Sequence, residues 1–478
     1  MLKLWCTFTT AIDKIFYRKP PCHAMPSCLS SHLETRPIAS TGAAALLDTL
    51  AACGVDTVFG YPGGAVLPLY DALQREPRLR HVLVRHEQAA VHAAEAYARS
   101  TGRIGVVFVT SGPGVANTIS GLLDAFSDSI PVLCISGQVA TGLIGTSAFQ
   151  ECDALGISRT VTKWNVQLRS ADEVAITVRK ALHIACTGRP GPVLVDFPKD
   201  VQAACVTGHR DDGPPEPAAG PPSPPMQTGV PSDLVDKAAQ LIREARRPVF
   251  YGGGGLVSSG EPACAAFAAL VRRANAPCTL TLMGLGAFPA SSPQWLGMLG
   301  MHGTLEANLA MHGADLVVCV GARFDDRVTG KVSEFCPDAR IIHIDIDAAA
   351  IGKVVAADVG LVGDCGLILQ RLLHRLDTTQ PDPGATAAWW ERIELWRRER
   401  CLDFTDKPGV IVPQRLMSAL AMQLRGRSPI VSTDVGQHQM WAAQYLAFDS
   451  PRHWLTFGRG RDDGLWAAGC HRRPDSPS

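Results

Sequence analysis

Short apolar runs alternate with helix-length segments along most of the chain. An amphipathic helix is predicted at residues 42–53, and a strand follows it at residues 56–59. Further runs, apolar throughout and separated by helix-length segments, lie at residues 81–84, 105–110, 131–135 and 191–196. Runs without polar alternation are typical of a parallel sheet that helices cover on both faces. Residues 41–205 are therefore predicted to form one doubly wound α/β domain.

The same alternation returns after a proline-rich segment at residues 206–232. Its prolines exclude a helix or a central strand, so the segment is predicted to be an extended linker. A second doubly wound domain is predicted for residues 233–376. Its strands are expected at residues 248–251, 314–320 and 341–344.

A third, incomplete domain is predicted towards the C-terminus. Residues 377–409 hold a linker and a helix rich in Trp and Arg, and the domain begins within residues 410–457 with a strand at residues 430–433. The residues left after that strand are too few for a core like the other two. The predicted fold class is thus α/β, with successive doubly wound parallel-sheet domains of which the third is incomplete.

The composition narrows the possible partners and the compartment. Lys+Arg and Asp+Glu both number 45, so nothing favours nucleic acid or an anionic membrane as a partner. The 15 cysteines are scattered and form no CxxC pair, which favours a reduced cytoplasmic protein with buried thiols over a disulfide-linked one. Residues 1–40 are basic without a continuous apolar run, and they predict either a weak targeting leader or a disordered tail.

The first candidate site follows two neighbouring strands. The turn Gly60-Tyr61-Pro62-Gly63-Gly64 comes after one strand, and Arg85-His86-Glu87-Gln88 comes after the next. Ligands of open α/β sheets bind at the carboxyl ends of the strands. Glu87 is expected to be partly buried, and burial allows a carboxyl group to exchange a proton near neutral pH. The residues equally allow Glu87 to cap the following helix and to pair with Arg85 or His86.

Three more turns carry candidate chemistry. The segment at residues 110–114, with Asn117 after it, either meets an anion or is a tight turn needed for packing. The turn at residues 252–255, with acids at residues 345 and 347, is a weak dinucleotide signal because it lacks the full glycine spacing. Arg323 with Asp325 or Asp326 forms either a structural ion-pair cluster or a site for a carboxylate substrate.

Together these segments resemble the catalytic large subunit of acetohydroxyacid synthase (acetolactate synthase), over about residues 41–457. The most specific matches are Arg-Phe-Asp-Asp-Arg-Val-Thr-Gly-Lys at residues 323–331 and Asp-Val-Gly-Gln-His-Gln-Met-Trp at residues 434–441. Shorter matches include residues 59–65, 85–88, 110–114, 145–151, 188–192 and 297–304. Ser147 stands where the family usually has Asp, and little effect is expected from this difference.

The resemblance implies a site for thiamine diphosphate. Glu87 matches the glutamate that hydrogen-bonds the aminopyrimidine ring and promotes loss of the thiazolium C2 proton. Arg323 matches the arginine that holds the carboxylate of the acceptor substrate. The other residues expected in catalysis are Gly64, Gln150 and Lys199. The remaining contacts expected for thiamine diphosphate are Tyr61, Pro62, Gly63, Phe149, Val435, Gly436, Gln437 and His438.

The resemblance also implies FAD in the central domain, in a role without net redox change. The expected contacts are Arg189, Gly252, Gly253, Thr281, Leu282, Met283, His302, Gly321, Arg323, Arg327, Asp345, Ile346 and Asp364. The implied substrates are pyruvate and 2-ketobutyrate. The implied assembly is a homodimer or a tetramer with a regulatory small subunit, without nucleic acid or membrane.

The sequence departs from the family after Phe457. The family continues with a segment that holds Mg²⁺ and the diphosphate, and residues 458–478 do not resemble it, so no metal ligand is predicted in this chain. One choice of codons for residues 462–475, read one base later, does encode the family's continuation. We therefore expect a frameshift near residues 458–461, and no acetolactate formation by the product. The rival interpretation is an inactive remnant that binds FAD or a partner subunit.

Overall fold

A computed structural model describes residues 40–207, 229–378, 382, 384–456 and 458. The predictions for the leader, for most of the proline-rich linker and for the tail after residue 458 lie outside the described residues. The described residues belong to one compact unit. The domain boundaries drawn from the sequence stay predictions.

The first part of the chain forms a sheet of six parallel strands in the order β2-β1-β3-β4-β6-β5. The strands are β1 (Thr57–Gly60), β2 (Arg80–Leu83), β3 (Gly105–Val109), β4 (Val132–Gln138), β5 (Trp164–Gln167) and β6 (Val193–Pro198). The helices are α1 (Gly42–Ala52), α2 (Leu67–Gln74), α3 (Glu87–Thr101), α4 (Pro113–Ala116), α5 (Ile119–Asp128), α6 (Ala154–Ser158), α7 (Val174–Cys186) and α8 (Lys199–Ala203). Short 3₁₀ helices lie at Gly64–Val66, Thr141–Leu143 and Ala171–Glu173.

Side chains on the two faces of β3 show why this sheet reads as a continuous apolar run. Val106 and Phe108 pack with α1 and α7 on one face. Val107 and Val109 pack with α3 and α5 on the other face. Because both faces are covered, every position of the strand is buried.

The second part forms another sheet of six parallel strands, in the order β12-β11-β10-β7-β8-β9. The strands are β7 (Pro248–Gly252), β8 (Cys278–Leu280), β9 (Trp295–Met298), β10 (Leu316–Val320), β11 (Arg340–Asp345) and β12 (Val359–Val362). The helices are α9 (Ser232–Glu244), α10 (Gly254–Ser258), α11 (Glu261–Arg273), α12 (Leu305–Gly313), α13 (Asp326–Thr329) and α14 (Cys365–Thr378), with 3₁₀ helices at Leu282–Gly284 and Val332–Glu334. The α/β class with two doubly wound parallel sheets is thus confirmed.

The remaining described residues add a helix and a small parallel pair of strands. The Trp- and Arg-rich helix predicted from the sequence is α15 (Ala387–Arg397). It is followed by α16 (Pro413–Leu424), β13 (Val431–Ser432), α17 (Gln437–Tyr445) and β14 (Trp454–Leu455). Strands β13 and β14 pair in parallel through Val431 with Trp454 and Ser432 with Leu455.

The state of the cysteines and the length of the helices can be compared with what the composition predicts. Eleven cysteines in the described residues are free, and eight of them are buried. None of the described helices is both long and apolar enough to cross a membrane.

Candidate active site

The turn after β1 is held against the start of the loop after β3. A Cβ atom on Gly63 would lie 2.5 Å from the Cβ of Thr110, so the close approach requires glycine. The amide of Ala65 donates to the hydroxyl of Thr110 at 3.3 Å. A Cβ on Gly64 would meet no atom within 4 Å, so this residue faces open space. The turn that includes Tyr61 and Pro62 therefore borders an accessible site at the carboxyl end of the sheet.

Glu87 is the first residue of α3, and its side chain is buried at that end of the sheet. Its Oε2 accepts a hydrogen bond from the side-chain amide of Asn117 at 3.0 Å. The helix cap is His86, whose Nδ1 accepts from the amide of Gln88 at 3.2 Å. The alternative in which Glu87 itself caps the helix is therefore wrong.

Glycine keeps the other side of the Glu87 carboxylate open. A Cβ on Gly114 would lie 3.6 Å from Oε1 of Glu87. Asn117 and Gly114 both follow β3, so the loop predicted from residues 110–114 meets Glu87 directly. The structure gives this loop a part in the site as well as in packing.

A loop between β4 and α6 brings Gln150 to the same edge. The carboxylate of Glu151 holds this loop together, because it accepts hydrogen bonds from the amides of Gly145 and Ala148. Gln150 has a φ of +61°, and a Cβ on Gly112 would lie 2.9 Å from its carbonyl oxygen. Phe149 beside it is 88% exposed, which leaves a large apolar ring uncovered. Lys199 is exposed and begins α8 after β6.

A cavity of about 480 Å³ lies at the carboxyl end of the second sheet. Most of the residues expected to contact FAD line it, together with the start of α17. Most of them follow a strand at that edge, whereas Arg189 comes from the loop between α7 and β6 of the first sheet. The expected residues in its wall are Arg189, Thr281, Leu282, Met283, His302, Gly321, Arg323, Arg327, Asp345, Ile346, Asp364, Val435, Gly436 and Gln437.

Gly252 and Gly253 do not line this cavity but support its wall. A Cβ on Gly253 would lie 2.7 Å from the Cβ of Ala322, so glycine lets the turns after β7 and β10 touch. Gly254 and Gly255, one and two residues later, face the cavity. His438 likewise lies outside the residues that line it, although its three predecessors do line it.

Two arginines of the cavity are fixed on the C-terminal turn of α5. Arg189 donates from Nε to the hydroxyl of Ser129 at 2.8 Å, and Arg323 donates from Nη1 to the carbonyl oxygen of Ser127 at 3.0 Å. Asp325 caps α13 by accepting from the amide of Arg327 at 2.8 Å. Arg323 is thus anchored on the last turn of α5, while Asp325 is engaged as the cap of α13.

Acids lie beside Arg189 in the cavity wall, since Asp347 is 3.7 Å from its guanidinium. Burial raises the pKa of Asp345, whose Oδ1 accepts from the amide of Asp347 at 2.9 Å. Asp364 accepts from the hydroxyl of Ser259 at 2.6 Å. The hydroxyl of Thr281 is buried in the wall, and it has no hydrogen-bond partner among the described residues. A bound molecule with hydroxyl and anionic groups would satisfy these positions.

Sequence reasoning missed Asp128 and Ser129, which also line the cavity. They end α5 of the first sheet and reach the second sheet only through tertiary packing. Asp128 accepts from the amide of Gly458 at 2.8 Å and from Arg99 at 2.8 Å. A single acid at a helix end carries no motif that could have marked it.

Known proteins and two family models match most of this chain. Residues 40–157 match the model of the thiamine pyrophosphate enzyme N-terminal TPP binding domain, and residues 235–372 match that of the thiamine pyrophosphate enzyme central domain. The chain is 44% identical over 442 residues to the acetolactate synthase large subunit of Haemophilus influenzae, and 45% identical over 426 residues to the acetolactate synthase isozyme 3 large subunit of Escherichia coli. Each match covers 87% of this chain and 72% of the relative. The large subunit of Parasynechococcus marenigrum is 47% identical over 424 residues, with 66% of its length covered. The chain therefore belongs to the acetolactate synthase large-subunit family.

Proposed function

We propose that this chain provides the flavin site and the aminopyrimidine half of the thiamine diphosphate site of an acetolactate synthase. Thiamine diphosphate supplies, when bound, the nucleophilic carbon that takes a two-carbon unit from pyruvate and passes it to a second 2-keto acid. The acceptor would be pyruvate or 2-ketobutyrate, as in the synthesis of branched-chain amino acids. The observation that carries the proposal is the open space beside Gly64, at the sheet edge where Glu87 lies, together with the cavity at the edge of the second sheet.

The large cavity fits FAD by its chemistry. Backbone glycines at Gly254 and Gly255 allow a phosphate group to approach closely. Asp345 and Asp364 offer acceptors for ribose hydroxyls, and Arg189 offers a cation for the diphosphate. The buried hydroxyl of Thr281 is a further polar group awaiting a partner. Asp128 and Ser129 extend this set from the first sheet.

Glu87 fits the role of a proton carrier towards the aminopyrimidine. Asn117 holds Oε2 in place, while Gly114 leaves the side of Oε1 free of a side chain. A carboxyl group fixed in this way can hold or give up a proton at one defined atom. Gly64 would let a planar ring approach the backbone.

Arg323 would hold the carboxylate of the acceptor. It lies in the cavity wall and one of its amino groups is already bound to the carbonyl of Ser127. A guanidinium group has five N–H donors in a planar fork that matches the geometry of a carboxylate. Its fixed position would orient the acceptor relative to the reacting carbon.

The assembly would be a homodimer or a tetramer with a regulatory small subunit, in the cytoplasm, with Mg²⁺ holding the diphosphate. The 88% exposed ring of Phe149 beside the Glu87 site is consistent with a second subunit that covers it. A second candidate is a flavin-binding chain without carboligation, since every flavin contact named above lies within the described residues. Acetolactate formation from pyruvate with thiamine diphosphate, Mg²⁺ and FAD separates the two when it is measured for this chain and for a version that continues with the family's diphosphate-binding segment.

Flavin binding tests the proposal at the cavity. Purified protein titrated with FAD should quench flavin fluorescence and unfold at a higher temperature. Thr281→Val removes the unpartnered hydroxyl at nearly constant volume, and it should weaken binding by roughly 2–10-fold, the effect of one hydrogen bond.

Thr279→Val is the matched control for this variant. Thr279 lies on β8, two residues before Thr281, which directly follows that strand. Its hydroxyl donates to the carbonyl of Gly297 at 2.8 Å, away from the cavity. This control should lower thermal stability and leave the FAD affinity unchanged. Folded protein that does not bind FAD, or equal affinities of Thr281→Val and the parent, would contradict the proposal.

A further inference from the structure

Helix α3 connects the two sites from end to end. Its first residue is Glu87, and it runs for 15 residues, or about 22 Å. It ends at Gly102, which has a left-handed φ of +76° and donates its amide to the carbonyl of Ala98. The helix is buried along most of its length, so a shift at one end is carried to the other.

The guanidinium of Arg452 lies at the C-terminal end of this helix. Its Nη1 donates to the carbonyl oxygens of Arg99 at 3.0 Å and Ala98 at 3.4 Å. Its Nη2 donates to the carbonyl oxygen of Val257 at 3.0 Å. One planar cation is therefore shared by the last carbonyls of two helices, α3 and α10, where the partial charge is negative.

Helix α10 leads directly to the flavin cavity. Val257 is its fourth residue, and its first two residues, Gly254 and Gly255, lie in the cavity wall. The path from the cavity to Glu87 thus passes through one short helix, one guanidinium and α3. A second connection runs beside it, because Arg99 of α3 pairs at 2.8 Å with Asp128, another residue of the cavity wall.

Two backbone positions, Gly102 and Arg452 itself, make room for this guanidinium. A Cβ on Gly102 would lie 2.9 Å from Cζ and Nη2 of Arg452, so only glycine leaves room for the group. Arg452 itself has a φ of +66°, a conformation that non-glycine residues adopt rarely and at a cost. Such a conformation persists where surrounding contacts over-determine it, and here those contacts are the three carbonyls.

The geometry points to Arg452 as a positioning residue that couples occupancy of the flavin cavity to the placement of α3 and Glu87. The inference rests on the proposed binding of FAD. Occupancy that fixes the turn at Gly254 fixes Val257, and through Arg452 it fixes the end of α3. By the reciprocity of binding, the ligand then restricts the motion of Glu87 without contacting it.

Hydrogen exchange measured by mass spectrometry tests this coupling in the full chain. In the parent protein, saturating FAD should slow amide exchange in peptides that cover α3 as well as in those that cover the cavity wall. In Arg452→Ala, the slowing in α3 should fall by roughly fivefold or more, the lower end of usual allosteric coupling. Millimolar guanidinium chloride should restore the FAD-dependent slowing of exchange in α3 of Arg452→Ala, whereas sodium chloride should not. A general loss of packing would not be rescued in this way.

Two further variants make the test decisive. Gly102→Ala places a methyl group against the guanidinium of Arg452. It should also abolish the FAD-dependent slowing of exchange in α3, even if Arg452→Ala does not fold. Arg425→Gln, at an exposed arginine in the same part of the chain, should behave as the parent. FAD that binds and still protects α3 equally in Arg452→Ala or Gly102→Ala would overturn this inference alone. Failure of the parent to bind FAD would instead overturn the proposed flavin site.

Discussion

Replacing Asp196 by asparagine should stabilise the first sheet at neutral pH and much less in acid. Asp196 is buried on β6. Its Oδ2 accepts from the side-chain amides of Gln167 at 2.8 Å and Gln138 at 3.2 Å, and its Oδ1 accepts from Ser136 at 2.9 Å. Gln138 also donates to the carbonyl of Cys152 at 2.8 Å, which holds the loop of Phe149 and Gln150. An asparagine oxygen can accept from the same glutamines.

Burial raises the pKa of Asp196 from its ordinary value of 3.8 to about 6, although three hydrogen bonds oppose the change. The folded state therefore binds this proton more tightly than the unfolded chain does. Between pH 3.8 and 6 the folded state carries more protons, so stability falls as the pH rises through that window and stays low above it. At about 1.4 kcal/mol for each pH unit, the full loss is about 3 kcal/mol.

Asparagine does not titrate, so the variant should lack this loss. Of the 3 kcal/mol, about 2 kcal/mol falls between roughly pH 4.5 and pH 7.5. The difference in melting temperature between Asp196→Asn and the parent should therefore grow by about 4–8 °C between those two pH values, measured by circular dichroism. Asp233→Asn, an exposed acid in α9, is the control and should show the same difference at both. An equal difference for Asp196→Asn at both pH values would refute the reasoning.

Two other substitutions test the sites directly. In a version of the chain that continues with the family's diphosphate-binding segment and is loaded with thiamine diphosphate, Glu87→Gln should slow exchange of the C2 proton by roughly 10²–10⁴-fold, as followed by proton NMR. FAD affinity should be largely retained, because Glu87 does not line the flavin cavity. Near-normal exchange would exclude the proton-carrying role. Gly253→Ala should destabilise the protein by about 1–3 kcal/mol and weaken FAD binding, because the new Cβ meets Ala322 at 2.7 Å. The control Gly142→Ala has open space around its Cβ, and a similar loss there would show that the effect is not one of crowding.

Most of the strands that the sequence predicts are buried on both faces, although the predicted strand β2 is exposed or half-buried. Strands β5, β8, β9 and β12 are not predicted, although β8 is buried throughout. In β10, Val318 packs into one core and Val317 into another, so the pattern of the strand is apolar throughout. Strand β5 is absent from the predictions because Asn165 and Gln167 interrupt its apolar pattern. Both side chains have partners, since Asn165 donates to the carbonyl of Leu155 and Gln167 donates to Asp196. Pairing of this kind depends on tertiary contacts that no local pattern contains.

The residues of the candidate sites likewise include some that the local sequence pattern predicts and others that depend on tertiary packing. Turns that follow strands could be placed at one sheet edge from the sequence, because parallel strands end together. Asp128 could not be placed in the cavity from the sequence, because it belongs to a helix of the first sheet and reaches the cavity of the second only in the folded chain. Asn117 could be noted as a polar residue after β3, but its hydrogen bond to Glu87 needed the packing of α4 and α5 against α3.

The composition of α3 explains why its position is sharply defined. Ala90, Ala93, Ala94 and others on its buried faces let neighbouring elements approach closely, but small side chains alone allow a helix to slide. Its buried charges remove that freedom. Arg99 lies at 2.8 Å from Asp128 and 3.7 Å from Asp124, while His92 Nδ1 lies 2.8 Å from Glu95.

Burial raises the pKa of Asp124 to about 8, and it also raises the pKa of Glu95. Removing these carboxyl groups from water therefore costs free energy. Sliding α3 by a turn would separate Arg99 from Asp124 and Asp128 and leave these buried groups without each other, whereas His92 and Glu95 both lie on α3 and would move together. Hydrophobic burial therefore stabilises the helix, whereas the charges select its register. Because Glu87 begins this helix, the register set by Arg99 and Asp128 at one end determines where the carboxylate lies at the other.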